Sequence, residues 1–83
     1  MTSTPEITVY SRPNCQPCKA TIKKLELLGT AYKKVDVTED DQAREQMLEL
    51  GYKTAPVVVV GDVHWGGFSP DKLEWAAQHV ADA

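Results

Sequence analysis

Apolar and polar positions along the chain fall into alternating short β-like runs and helical stripes. "EITVYS" (residues 6–11) is rich in β-branched and aromatic side chains and predicts a first strand, which ends at the turn signal "RPN". Beyond it, Cys18, Ile22, Leu25 and Leu28 recur at helical spacing, and Gly29 stands where a helix would stop. Pro17 lies in the first turn of that helix, where a missing amide hydrogen does little harm. "AYKKVDV" (residues 31–37) predicts a second strand. Thr38, followed three residues later by Asp41, then reads as the cap of a second helix, which carries Ala43, Met47 and Leu50 on one face and stops at Gly51.

"PVVVVGDVHW" holds two strands joined by "GD", a pair suited to a tight hairpin turn, and the unbroken "VVVV" predicts a strand buried on both faces. Ser69 is placed to cap a third helix and Pro70 to open it, with Leu73, Ala76, Ala77 and Val80 facing inward. The order β-α-β-α-β-β-α predicts an α/β fold. A parallel strand pair comes from the first crossover and an antiparallel hairpin comes later, so three helices cover a four-stranded mixed sheet.

A chain of 83 residues fits one such domain, spanning 1–83. With 42% hydrophobic and 25% charged residues its composition is that of an ordinary globular protein, without low-complexity tracts. The longest apolar run, "APVVVVG", falls far short of the roughly 20 residues of a membrane span, and "MTSTPEITVY" lacks the basic start and apolar stretch of a signal peptide. The expected location is therefore the cytoplasm, with no membrane partner. A formal charge of -3 argues against nucleic acid, whose binding rests on clustered Lys and Arg. The charges are also segregated: six basic residues against Glu26 lie between Arg12 and Lys34, and six acids against Arg44 between Asp36 and Glu49. Such segregation is what a pair of solvated helix faces gives; because the cysteines sit in the basic part, it also fits a positive potential that would favour a thiolate and attract an acidic partner.

The candidate chemistry is the pair Cys15 and Cys18 in "SRPNCQPCKAT". Placed at a helix N-terminus, Cys15 faces unpaired amides and the positive end of the helix dipole, which depress a thiol pKa and mark it as the attacking thiolate. Cys18, one turn in, is within reach of the Cys15 sulfur and can resolve a mixed disulfide. Zinc fits poorly, because the chain has only two cysteines and His64 and His79 stand 15 apart. A structural staple fits poorly too, since a disulfide across three residues constrains the unfolded chain little. Pro56, at the entry of "VVVV", cannot donate to a sheet. A cis Ala55-Pro56 bond would turn the Ala55 backbone toward the thiols, while an ordinary trans proline at a strand edge is compatible with the same spacing.

The order of elements, with "CQPC" after the first strand, "TAP" before the third and "GG" after the fourth, resembles the thioredoxin superfamily, nearest its glutaredoxin-like branch. Within it, "LGYKTAPVVVVGDVHWGGFSPDKL" is similar to the NrdH redoxins, thioredoxin-like hydrogen donors of class Ib ribonucleotide reductase. The resemblance covers residues 6–80 and implies a thioredoxin-like fold. It makes Cys15 the nucleophile, Cys18 the resolving thiol, Pro56 cis and Ala55 a backbone platform for a substrate strand. Arg12, Gln16, Pro17, Trp65, Gly67 and Phe68 would then frame the substrate, although packing accounts equally well for the two aromatic residues.

Two features depart from the pattern. NrdH redoxins usually have a hydrophobic residue and then glutamine between the cysteines, whereas Gln16 here comes first and Pro17 second, the thioredoxin habit. The acidic residue by which glutaredoxins hold glutathione is replaced by Ser69 and Pro70, with Asp71 one step late. The expected protein is a monomeric dithiol reductase with no cofactor or metal beyond its own cysteines. It would be reduced by thioredoxin reductase and would donate to the large subunit of ribonucleotide reductase. The alternatives are a glutathione-dependent glutaredoxin or general protein disulfide reductase and, from another class, an iron-sulfur cluster carrier.

Overall fold

The computed structural model describes residues 6–81. Strand β1 (Ile7–Ser11) is followed by helix α1 (Gln16–Leu27), strand β2 (Lys33–Asp36), helix α2 (Asp41–Glu49), strands β3 (Val57–Val60) and β4 (Val63–Gly66), and helix α3 (Pro70–Ala81). The sheet order is β2-β1-β3-β4. β1 runs parallel to β2, with Tyr10 opposite Val35, and antiparallel to β3, with Val9 opposite Val58. β3 and β4 form the hairpin, where Gly61 supplies the positive φ (58°) that the first position of the two-residue turn needs.

The period-two alternation of the strands divides the core into two layers. Ile7, Val9, Val58, Val60 and Trp65 point to one face and pack on Leu25 of α1 and Leu73 and Ala76 of α3. Tyr10 and Val57 point to the other and pack on Ala43 and Met47 of α2, beside Val37. Leu25 and Leu73 are fully buried, each such side chain stabilising the fold by about 1.5–3 kcal/mol. β3 is covered on both sides, which is why its sequence does not alternate.

Two expectations are corrected. The cap of α2 is Asp40, whose carboxylate accepts from the Ala43 amide at 3.1 Å, and not Thr38. Thr38 is drawn off by the preceding strand, its amide and hydroxyl both donating to Asp36 Oδ1 at 2.8 and 2.6 Å. Leu50, expected on the inward stripe of α2, is exposed, because the helix has ended at Glu49 and the chain is already turning away. At α3, Pro70 opens the helix as expected, and the Ser69 carbonyl accepts the first helical bond from the Leu73 amide at 3.0 Å.

Candidate active site

β1 delivers the chain to the site through Arg12, Pro13 and Asn14, and Asn14 adopts a left-handed backbone (φ 57°), a conformation its short polar side chain tolerates. That reversal leaves Cys15 extended (φ -115°, ψ 105°) as the residue immediately before α1. Its Sγ accepts from the Cys18 amide at 3.2 Å, so the sulfur itself caps the helix. Pro17 donates nothing, and its carbonyl accepts from the Thr21 hydroxyl at 2.9 Å, satisfying the buried Thr21. The first turn of α1 contains no acidic side chain.

Cys15 and Cys18 form a disulfide with their Cα atoms 5.2 Å apart. Both are almost wholly buried and cluster with Ala55. The Ala55-Pro56 peptide is cis, and Ala55 packs with the two cysteines where the chain enters β3. Pro56 is held in turn by the residue after β4: its carbonyl accepts from the Gly67 amide at 2.9 Å, and Gly67 has the left-handed φ (81°) that glycine tolerates.

Around this buried centre the surface is open. Gln16 and Pro17 are exposed at the tip of the motif, and Phe68 is 44% exposed in the loop after β4. Trp65 does not share that surface. Trp65 pairs with Val58 across the hairpin and shares its face, so its ring is 4% exposed among Val58, Val60 and Leu73, with Lys72 Nζ 5.9 Å from its centroid. The structure thus assigns Trp65 to packing and leaves Phe68 as the exposed aromatic of the loop.

A cavity of about 270 Å³ adjoins Ala55 and is lined by Arg12, Arg44 and Lys53 together with Val37, Thr38, Met47 and Thr54. Three cations and no acid line it, in a chain whose formal charge is -3. Sequence reasoning found Arg12 but missed Arg44 and Lys53. Arg44 sits in the acidic stretch, and only the folding of α2 over β1 brings it across. Among the described residues no three His, Cys, Asp or Glu side chains gather as metal ligands, and no helix is long and apolar enough to cross a membrane.

A two-cysteine disulfide at a helix N-terminus, shielded by a cis-proline loop, defines a small thiol-disulfide oxidoreductase. Comparison with known proteins narrows the class. The Glutaredoxin family model matches residues 7–65. The chain is 35% identical over 79 residues to the glutaredoxin-like protein NrdH of Escherichia coli, covering 93% of this chain and 98% of that one. It is 34% identical over 67 residues to the NrdH protein of Lactococcus lactis, covering 81% and 93%. The solved structure of the Escherichia coli NrdH-redoxin, a glutaredoxin-like protein described as having a thioredoxin-like activity profile, superposes with a TM-score of 0.81 at 34% identity. That match spans 84% of this chain and 92% of the other. The chain belongs to the glutaredoxin family, among its NrdH-type members.

Proposed function

We propose that this protein carries electrons from thioredoxin reductase to a disulfide on the large subunit of class Ib ribonucleotide reductase, in the reducing setting of the cytoplasm and with its cysteine pair as sole redox group. The carrying observation is the setting of the dithiol: buried sulfurs against Ala55, ringed by exposed Gln16, Pro17 and Phe68 and by a groove of three cations. Such a frame suits a protein surface, with apolar contacts at its centre and charge at its rim.

The exchange follows from the geometry. In the reduced protein the Cys15 thiolate, stabilised by the amides of the first turn of α1, attacks one sulfur of the partner disulfide. The partner S–S bond breaks, and its second sulfur leaves and takes up a proton. Cys18, giving up its proton, then attacks Cys15 Sγ. The mixed bond breaks, the partner's first sulfur leaves as a thiol, and the Cys15–Cys18 disulfide closes. Two electrons have passed to the partner, with one proton from Cys18 and one from solvent, and the reductase restores two electrons and the one proton that Cys18 gave up.

Support for the donor comes from the positions just beyond Phe68, soon after the paired glycines, where Ser69 and Pro70 stand, leaving the glutathione ammonium without a carboxylate at that place. The NrdH relatives supply the name that points to ribonucleotide reductase. An NADPH oxidation assay tests the reading: turnover is expected to be fast with thioredoxin reductase and slow with glutathione plus glutathione reductase. Equal rates with the two donors would replace this reading by the glutaredoxin one.

A further inference from the structure

The loop that brings Ala55 to the sulfurs is fixed at both ends by the paired glycines, Gly66 at the end of β4 and Gly67 just after it. At its far end the Pro56 carbonyl is bonded to the Gly67 amide at 2.9 Å. At its near end stands Tyr52, whose amide donates to the Met47 carbonyl at the close of α2 and whose ring lies across Gly66 of β4. A Cβ at Gly66 would come within 3.0 Å of Tyr52 Cδ1 and 3.1 Å of Cε1. Gly66, unlike Gly67, has no positive φ, so its backbone does not require glycine. What requires the missing side chain is the tyrosine ring. The ring is further tied to His64: the Tyr52 hydroxyl and His64 Nδ1 are 2.8 Å apart, and the two rings meet edge to face with centroids 5.5 Å apart.

Only Lys53, Thr54 and Ala55 lie between these anchors, and Ala55 is 6% exposed against Cys15 and Cys18. So short a span transmits a shift of Tyr52 to Ala55. We propose that Tyr52 is a positioning residue for disulfide exchange: its ring, seated on Gly66 and tied to His64, sets the height at which the Ala55 backbone meets an incoming substrate strand. This rests on the proposed exchange function and on Ala55 as the docking platform that the family resemblance implies. Tyr52 touches neither sulfur in this arrangement. It acts through the loop, on the binding of a protein disulfide and not on the thiolate.

The test compares Tyr52→Ala, Tyr52→Phe and Gly66→Ala with the unmodified chain. Dithiothreitol serves as reductant and insulin as protein disulfide, so that the identity of the natural donor does not enter. Tyr52→Ala removes the ring, Gly66→Ala makes it give way by a few tenths of an ångström, and both are expected to raise KM for insulin, Tyr52→Ala about tenfold and Gly66→Ala about threefold, against the roughly 100-fold that a 1 Å misplacement can cost. Tyr52→Phe keeps the ring on Gly66 and is expected to stay within about twofold of the unmodified chain. Alkylation of reduced Cys15 by iodoacetamide, which reads thiolate formation alone, is expected to stay within about twofold in all three variants. An unchanged KM in Tyr52→Ala, a KM for Tyr52→Phe as high as that of Tyr52→Ala, or KM and alkylation changing together would each overturn the proposal. If Tyr52→Ala fails to fold by circular dichroism, Gly66→Ala decides alone, a raised KM supporting the proposal and an unchanged one overturning it. A wrong donor assignment leaves insulin reduction by dithiothreitol intact, so the two failures are told apart.

Discussion

Helices α1 and α2 begin in nearly the same way and to different ends. Cys15 (φ -115°, ψ 105°) and Asp40 (φ -122°, ψ 100°) are both extended residues whose side chains accept from the amide three positions on, Cys18 at 3.2 Å and Ala43 at 3.1 Å. At α2 the acceptor is an exposed carboxylate, supported by Asp41 in the first turn, and the contact stabilises a helix end. At α1 the acceptor is a sulfur, 2% exposed, with no acid in the first turn to compete for the same positive field. The helix terminus that holds a carboxylate cap in one place holds a redox sulfur in the other. The difference is made by the atom at the cap and by what surrounds it.

The sharpest way to break the comparison is to make the two caps alike. Serine is a good cap, so Cys15→Ser is expected to keep α1 intact while abolishing exchange, with no mixed disulfide formed with a substrate. Cys18→Ser leaves the attacking sulfur in place and is expected to accumulate that mixed disulfide. Non-reducing gels after incubation with a disulfide-bearing protein separate the two outcomes. Equal trapping by both variants would remove the assignment of Cys15 as nucleophile.

Much of this was legible from residue patterns because local and long-range signals agree. β-branched runs, a stripe at 18, 22, 25 and 28, and Pro17 in a first turn all point the same way, and the cysteine pair stands out by its position after a strand. The cis form of Ala55-Pro56 came only with the family resemblance, since spacing allowed either isomer. What stayed hidden depends on contacts between elements. In β4 nothing local in "VHWG" says which face meets a helix, so the sequence leaves Trp65 open between the site and packing, and it lies in the core. Tyr52 and His64 meet across twelve positions, and Arg44 and Lys53 join Arg12 only once α2 has packed. In "TEDD" several side chains can cap a helix, and the choice of Asp40 over Thr38 was made by Asp36, which engages Thr38 first.

A smaller effect sharpens the contrast from the other side. If the Asp40 cap serves stability alone, Asp40→Ala should lower the unfolding free energy by about 1 kcal/mol in urea titrations. Insulin reduction by the same variant should be unchanged. A loss of exchange activity comparable to the loss of stability would mean that the two helix ends are not separate in function.

The smallest effect lies in the approach to α2. The chain reaches Cys15 through the left-handed Asn14, whereas it reaches Asp40 through a turn closed by Asp36. The Asp36 carboxyl is held below its ordinary value of 3.8, first by the Thr38 hydroxyl, then by the Thr38 amide, with Lys34 adding to the effect and partial desolvation opposing it. A carboxyl whose folded value is lowered contributes stability above the unfolded value and loses it as pH falls through the folded one. The contribution is therefore complete above the ordinary carboxylate range and fades on the acid side of 3.8. Thr38→Val removes the hydroxyl and keeps the amide, so Asp36 should titrate closer to its ordinary value in an NMR titration. The fall in Tm between about pH 5 and pH 2 should become shallower by the same linkage. An Asp36 titration identical in the two proteins would show that the hydroxyl is not what holds the carboxylate, and the turn before α2 would then rest on its backbone donor alone.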